Sequence, residues 1–238
     1  MIYLIGLSLL SLLPIALWLI FFLRCDLKKP EPWFWILIVF GAGIALAPLV
    51  LLLENYYYQE FGLAGQLINN DFYIFLGVAI IEEMIKFIVA YVLMKLNPYF
   101  DEPVDAMVYM VVIALGFASI ENLVLVAKEF LASGSFWEIS KLLAFRFLGA
   151  NLLHIICSGL IGFFWAWRLA KRKRFYYFLG FALAIGLHTI FNFVIMEWSY
   201  SVLFPVTLTL FVFFLILYWF FNLTKHLRPA HLKSWPQM

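Results

Sequence analysis

Seven runs of about twenty apolar residues follow one another along the chain, over 2–23, 33–53, 72–96, 104–126, 142–169, 175–196 and 201–223, parted by short polar stretches. A helix rises about 1.5 Å per residue, so each run matches a hydrocarbon layer roughly 30 Å thick. Lipid offers no partner to backbone N–H and C=O groups, and a helix satisfies them within the segment. The pattern predicts an all-α, polytopic transmembrane helix bundle of about seven spans. The longest connections, 54–71 and 127–141, are too short for a core of their own. No internal repeat or low-complexity linker divides the rest, so the chain reads as one membrane domain over 1–238.

Composition agrees: 66% of the 238 residues are hydrophobic and 13% charged, and the mean hydropathy of +1.00 lies far outside the range of soluble domains. The expected surroundings are a lipid bilayer, with no nucleic acid partner. The net charge of +2 says less than where the basic residues fall. Arg24, Lys28 and Lys29 follow span one, Lys95 follows span three, Arg168, Lys171, Arg172, Lys173 and Arg174 follow span five, and Lys225, Arg228 and Lys233 lie in the C-terminal tail. By the positive-inside rule these connections are cytoplasmic, which puts the N-terminus outside and the C-terminus in the cytoplasm. The first span lacks the basic start and small-residue cleavage site of a signal peptide, so it is expected to stay in the membrane. Cys25 and Cys157 fall on different spans at different depths, and no disulfide framework follows. Trp33, Trp35, Trp165, Trp167 and Trp198 suit interfacial belts, and His226 and His231 suit a solvated tail.

Against this background "AIIEEMIKFIV", Ala79 to Val89, is anomalous. An ionisable group inside a span costs several kcal/mol unless it pairs or faces an internal cavity. At about 100° per residue, Lys86 falls between Glu82 and Glu83 on one face of the third span and is an i,i+4 partner for Glu82. Span four carries Ala114, Phe117, Ala118 and Glu121 on one stripe, whose small residues allow close helix approach. Span five offers Asn151, His154 and Ser158 on one face, flanked by Arg146 and Cys157, and span six offers His188 and Asn192. Measured along the helices from the outer ends, Glu82, Glu121, His154, His188 and Asn192 lie about 6 to 18 Å deep. Those levels overlap, so four spans can present carboxylates, imidazoles, an amide and an ammonium to one pocket in the outer half of the membrane.

Two neighbouring carboxylates in a low-dielectric site cannot both ionise cheaply, which suits one of them to act as a general base. With Lys86 keeping the other ionised, and imidazole or amide donors aimed at a carbonyl oxygen, the set suits the hydrolysis of an amide; the alternative is a structural ion-pair knot between helices, which five such groups on four helices disfavour. Glu82 and Glu83 are equal candidates for activating water. His154 and His188 are expected to stabilise the oxyanion or protonate the leaving amine, oriented by Asn192 and Glu121.

The residues also resemble a known family. "EEMIK" (Glu82 to Lys86) fits EExxK, "FASIEN" (Phe117 to Asn122) fits FxxxEN and "HTIFN" (His188 to Asn192) fits HxxxN, in that order, with His154 between. This resembles the PrsW family of intramembrane proteases, within the group that includes CAAX prenyl endopeptidases and bacteriocin-processing enzymes. "PEPW", "FDEPVDAMVY" and Arg146 add to the likeness, which covers roughly residues 30 to 195. Ala106 and Met110 stand where the family often has glycine, a departure that bears on helix packing. The resemblance implies catalytic Glu82, Glu83, His154 and His188, with Lys86, Glu121, Asn192, Arg146 and Phe117 in support. It also implies a membrane-anchored protein substrate of the anti-sigma-factor type, cut on the extracytoplasmic side of a bacterial plasma membrane.

On the preferred glutamic reading no cofactor is required. The rival is a zinc site drawing on Glu83, Glu121, His154 and His188, since two imidazoles and several carboxylates can leave a coordination position open. A transporter or seven-helix receptor is a further alternative. Against it, the last span holds no ionisable residue, and there is no inverted repeat or matched pair of broken helices.

Overall fold

The computed structural model describes residues 2–25, 29–68, 71–197 and 203–227, and every structural statement concerns these. Lys28, Trp198, Arg228, His231 and Lys233 lie outside them, as does the side chain of Cys25. Eight helices follow in order: α1 (Ile2–Cys25), α2 (Trp33–Ile68), α3 (Phe72–Leu96), α4 (Asp105–Ser133), α5 (Phe136–Leu148), α6 (Ala150–Lys171), α7 (Phe175–Glu197) and α8 (Leu203–Thr224). No strand occurs among the described residues. Five segments are long and apolar enough to cross a membrane: Trp33–Phe61, Asp105–Ser133, Phe136–Lys171, Pro205–Thr224 and Phe175–Met196. Helix α3 has comparable length but carries Glu82, Glu83 and Lys86 in its middle.

Two boundaries differ from the hydropathy pattern. The run expected to end at 53 continues as helix to Ile68, because apolarity marks where lipid ends and not where the backbone stops being helical. That extension packs on α3: the Tyr57 hydroxyl donates to the carbonyl of Tyr73 at 2.9 Å, and its ring occupies the space that a side chain at Gly77 would need. The span expected over 142–169 is two helices, and the expected connection 127–141 is mostly helical. Helix α4 ends at Gly134 in the left-handed conformation, with φ of 61°. Helix α5 starts at once from Ser135, whose side chain accepts from the amide of Glu138, a capping arrangement. Gly149 then interrupts the helix with φ −106° and ψ −97°.

The centre of the bundle is α4, which packs against α1, α2, α3, α5 and α6 and buries every residue from Asp105 to Ser119. Its contact with α2 is a crossing of Gly43 and Gly116. A Cβ on Gly43 would run into the carbonyl of Ile113 and lie 2.9 Å from the Phe117 amide nitrogen, so the two backbones touch. Ala106 and Met110 do not loosen the packing against α6, because the close approach is made from the other side. Gly162 of α6 lies against the backbone of Ala106 and Met107, where a Cβ would be 2.7 Å from both the Ala106 oxygen and the Met107 Cα.

One end of α4 is held by a polar latch. The Asp105 carboxylate accepts from the amides of Asp101 and Glu102 at 3.0 and 2.8 Å. Tyr109 donates to Glu31 ahead of α2 and accepts from Asn97 at the end of α3. Outside it, Lys29 pairs with Asp101 at 2.5 Å. Three helix ends are thereby fixed, which sets the register of the polar residues further along α3 and α4.

Candidate active site

Along α3 the side chains of Glu82, Glu83 and Lys86 all turn inward and are buried. The Lys86 ammonium lies 2.9 Å from Glu82 Oε2, 2.9 Å from Glu83 Oε1 and 3.1 Å from His154 Nδ1. Beneath it is the ring of Phe117, with the centroid 4.4 Å from Nζ, and the same ring meets His154 edge to face at 5.5 Å. Phe117 thus forms one wall of the cluster, in contact with both Lys86 and His154.

The hydrogen-bond pattern determines which nitrogen of each imidazole carries a proton. An ammonium has only hydrogens to give, so His154 Nδ1 accepts from Lys86 and its Nε2–H donates to Glu121 Oε2 at 2.7 Å. Glu121 is held in turn by Arg146 of α5, whose Nη2 lies 3.0 Å away while its Nε donates to Asn122. Asn122 passes the link on to the carbonyl of Ser11 in α1. His188 of α7 donates from Nδ1 to Glu83 Oε1 at 3.1 Å, and Ser158 of α6 donates to the other oxygen of Glu83 at 3.1 Å. Each histidine has one nitrogen fixed by a carboxylate, an arrangement that sets ring orientation. The remaining nitrogens, His154 Nδ1 and His188 Nε2, both face Glu82, each 3.7 Å from one of its oxygens.

The predicted convergence is therefore present for Glu82, Glu83, Lys86, Glu121, Arg146, His154 and His188, and Phe117 is in contact with them. The two glutamates are not equivalent. Glu83 is fully enclosed and held by Lys86, Ser158 and His188, whereas Glu82 is bonded by Lys86, is met by the Glu54 carboxyl, and has two imidazole nitrogens 3.7 Å away. Asn192 stands one turn beyond His188, is half-buried, and makes no hydrogen bond with the described residues. Cys157 is buried, free and packed in the core.

The sequence pattern missed Glu54. It falls just past the apolar run of span two, in what read as a connection, but α2 continues through it. Its carboxyl faces Glu82 and feels the charges of Glu121 and Lys86. Only its periodicity on α2 could have signalled this, and that requires knowing that the helix extends past 53.

For a metal ion, one ligand atom from each of Glu82, Glu83, His154 and His188 lies within 4.8 Å of the others. Two imidazoles and two carboxylates are the donor chemistry of a zinc site. Glu121 is not in this set; it holds the far nitrogen of His154.

An all-helical membrane bundle that buries acids, imidazoles and an ammonium at one point inside the protein has a polar functional site within the membrane, of a kind that acid–base chemistry on a peptide can use. The profile of the PrsW family intramembrane metalloproteases matches residues 31–220, and the chain belongs to that family. Among similar curated proteins, Protease PrsW of Geobacillus kaustophilus is 28% identical over 191 residues, which cover 78% of this chain and 79% of the relative. Protease PrsW of Clostridioides difficile is 26% identical over 225 residues, covering 93% of this chain and 90% of that one. No solved structure matches the chain. The protein is an integral membrane peptidase.

Proposed function

We propose that this peptidase hydrolyses a membrane-anchored protein substrate with Glu82 as the base that activates water. The supporting observation is the position of the Glu82 carboxylate between His154 Nδ1 and His188 Nε2, 3.7 Å from each. A water bridging Glu82 and an imidazole loses a proton to Glu82 as its oxygen attacks the scissile carbonyl carbon. Protonated at Nε2 and held at Nδ1 by Glu83, His188 then gives a proton to the leaving amine. The C–N bond breaks to give a carboxylic acid and an amine, and the proton held by Glu82 returns to His188 Nε2, which restores both groups. Asn192, one turn away and without a hydrogen bond among the described residues, supplies a donor for the oxyanion. Lys86 pairs with Glu82 and Glu83 at once and offsets one of their two negative charges, and Arg146 with Glu121 holds the His154 ring. The loop charges support a site in the outer half of the membrane, and the bacterial relatives support a bacterial plasma membrane; both suit a substrate of the anti-sigma-factor, site-1 type in regulated proteolysis. The test is cleavage of a single-span substrate by reconstituted protein, with Glu82, Glu83 and His188 replaced singly by alanine; undiminished cleavage in all three removes the glutamate mechanism.

One observation favours a second reading, a zinc-dependent peptidase. With their outer nitrogens tied to Glu83 and Glu121, neutral His188 and His154 turn lone pairs toward Glu82, and three acceptors meeting at one point suit a cation. Glu82, His154 and His188 would hold the ion, with Glu83 within reach, and it would supply Lewis acidity and a more acidic bound water. In the structure the Lys86 ammonium meets that demand, within 2.9 to 3.1 Å of Glu82, Glu83 and His154. Metal content of the purified protein, with activity after chelation and after zinc is restored, separates the two readings.

A further inference from the structure

The first turn of α6 contains a polar group that the mechanism does not use. Asn151 is 0% exposed, and neither its carboxamide nitrogen nor its oxygen has a hydrogen-bond partner among the described residues. A buried amide left unpaired costs about 1 to 3 kcal/mol, and such groups in native proteins call for an explanation. Asn151 shares a stripe of α6 with His154 and Ser158, the residues that reach Glu121 and Glu83, so this stripe faces the site. The helix also starts without a side-chain cap among the described residues, because Gly149 stands at its N-cap position. The amides of that turn have no partner within the helix. Gly149 and Ala150 are half-buried, which puts the turn at the wall of the bundle. A Cβ on Gly149 would lie 3.6 Å from the Phe191 ring, so the turn is level with the part of α7 that carries Asn192.

These features match a requirement peculiar to proteolysis within a membrane. A peptide bond in a transmembrane helix is shielded by its own i to i+4 hydrogen bonds, and opening it in a low-dielectric medium strands N–H and C=O groups at a cost of several kcal/mol each. An enzyme that cuts there has to offer replacement partners. A carboxamide with both donor and acceptor free is complementary to one peptide unit, and the uncapped amides beside it suit a further carbonyl.

We propose that Asn151 and the first turn of α6 form a subsite that binds the main chain of the unwound substrate next to the scissile bond. The inference rests on the peptidase function proposed above and assigns Asn151 as a substrate-binding residue.

The experiment uses reconstituted full-length protein and a synthetic single-span peptide, with the cleavage site located by mass spectrometry. In matched peptides, each peptide bond flanking that site is replaced in turn by an ester, which removes one donor and weakens one acceptor. Asn151→Leu keeps the size of the side chain and removes both polar atoms. The expected result is a thermal midpoint equal to or above wild type with kcat/KM on the amide peptide at least tenfold lower. At one flanking position the ester should slow the wild type but leave Asn151→Leu unaffected. Wild-type rates in Asn151→Leu, or equal ester sensitivity in both proteins at every position, would overturn the subsite. A lowered midpoint that accounts for the loss of activity would assign Asn151 a structural role instead. Failure of the wild type itself to cut any peptide would reject the peptidase reading, and the subsite with it.

Discussion

The imidazoles of His154 and His188, carried by α6 and α7, meet edge to face with ring centroids 5.4 Å apart. Neither ring is held by the other. Glu121 fixes His154 from α4 and Glu83 fixes His188 from α3, so four helices determine one pair of rings and aim both at Glu82. This over-determination gives the site its chemical polarity and leads to distinct expectations for residues that look alike in sequence.

Glu82→Gln removes the base but keeps the shape, so kcat should fall by about 10²- to 10⁴-fold with little change in the thermal midpoint. Glu83→Gln should lower the midpoint as well, because Glu83 is enclosed and bonds Lys86, Ser158 and His188. Cleavage assays paired with unfolding scans in detergent make the comparison; equal midpoints for the two variants would contradict it.

Lys86→Met leaves Glu82 and Glu83 buried beside each other without their counter-charge. Breaking a buried ion pair in this way costs about 3 to 5 kcal/mol. A lower yield of folded protein and a large drop in midpoint are expected, and Lys86→Met combined with Glu83→Gln should recover part of it. Absence of that recovery would show that Lys86 matters for something other than charge.

Arg146→Leu should slow cleavage by about 10- to 100-fold, the usual effect of removing a group that orients another. Glu121→Gln should be milder than Glu121→Ala, because the amide oxygen can still accept from His154 Nε2–H. The measurement is kcat for all three variants with KM monitored; a pure KM effect would place Arg146 in substrate binding.

Gly41 and Gly43 lie two residues apart on α2 and should respond oppositely to alanine. Nothing lies within 4 Å of a Cβ at Gly41, whereas one at Gly43 would strike the α4 backbone. Gly41→Ala should leave the midpoint unchanged or slightly raised, and Gly43→Ala should cost at least the roughly 1 to 3 kcal/mol of overpacking. Similar midpoints would mean that α2 and α4 do not cross where described.

If the cluster holds zinc, purification under chelator should abolish cleavage and zinc should restore it, with about one ion per chain by elemental analysis. On the glutamic mechanism chelation leaves the rate unchanged.

The apolar periodicity determined that the chain is a bundle of membrane-length helices, because lipid leaves a backbone few other options. Charged residues inside those runs marked Glu82, Glu83, Lys86, Glu121, His154 and His188 as a set, since each is costly in lipid unless it meets another. Sequence could not rank Glu82 against Glu83, because helix rotation depends on what α4, α6 and α7 bring to each side. Nor could it place Glu54, which lies beyond the apolar stretch on a helix that continues through it. It put Asn151 on the face of His154 and Ser158, but that this carboxamide is left without a partner depends on the packing that follows the break at Gly149, which hydropathy does not register. Apolarity reports the solvent around a helix; which carboxylate remains free to act is decided by hydrogen bonds from its neighbours, and those exist only once the helices have packed.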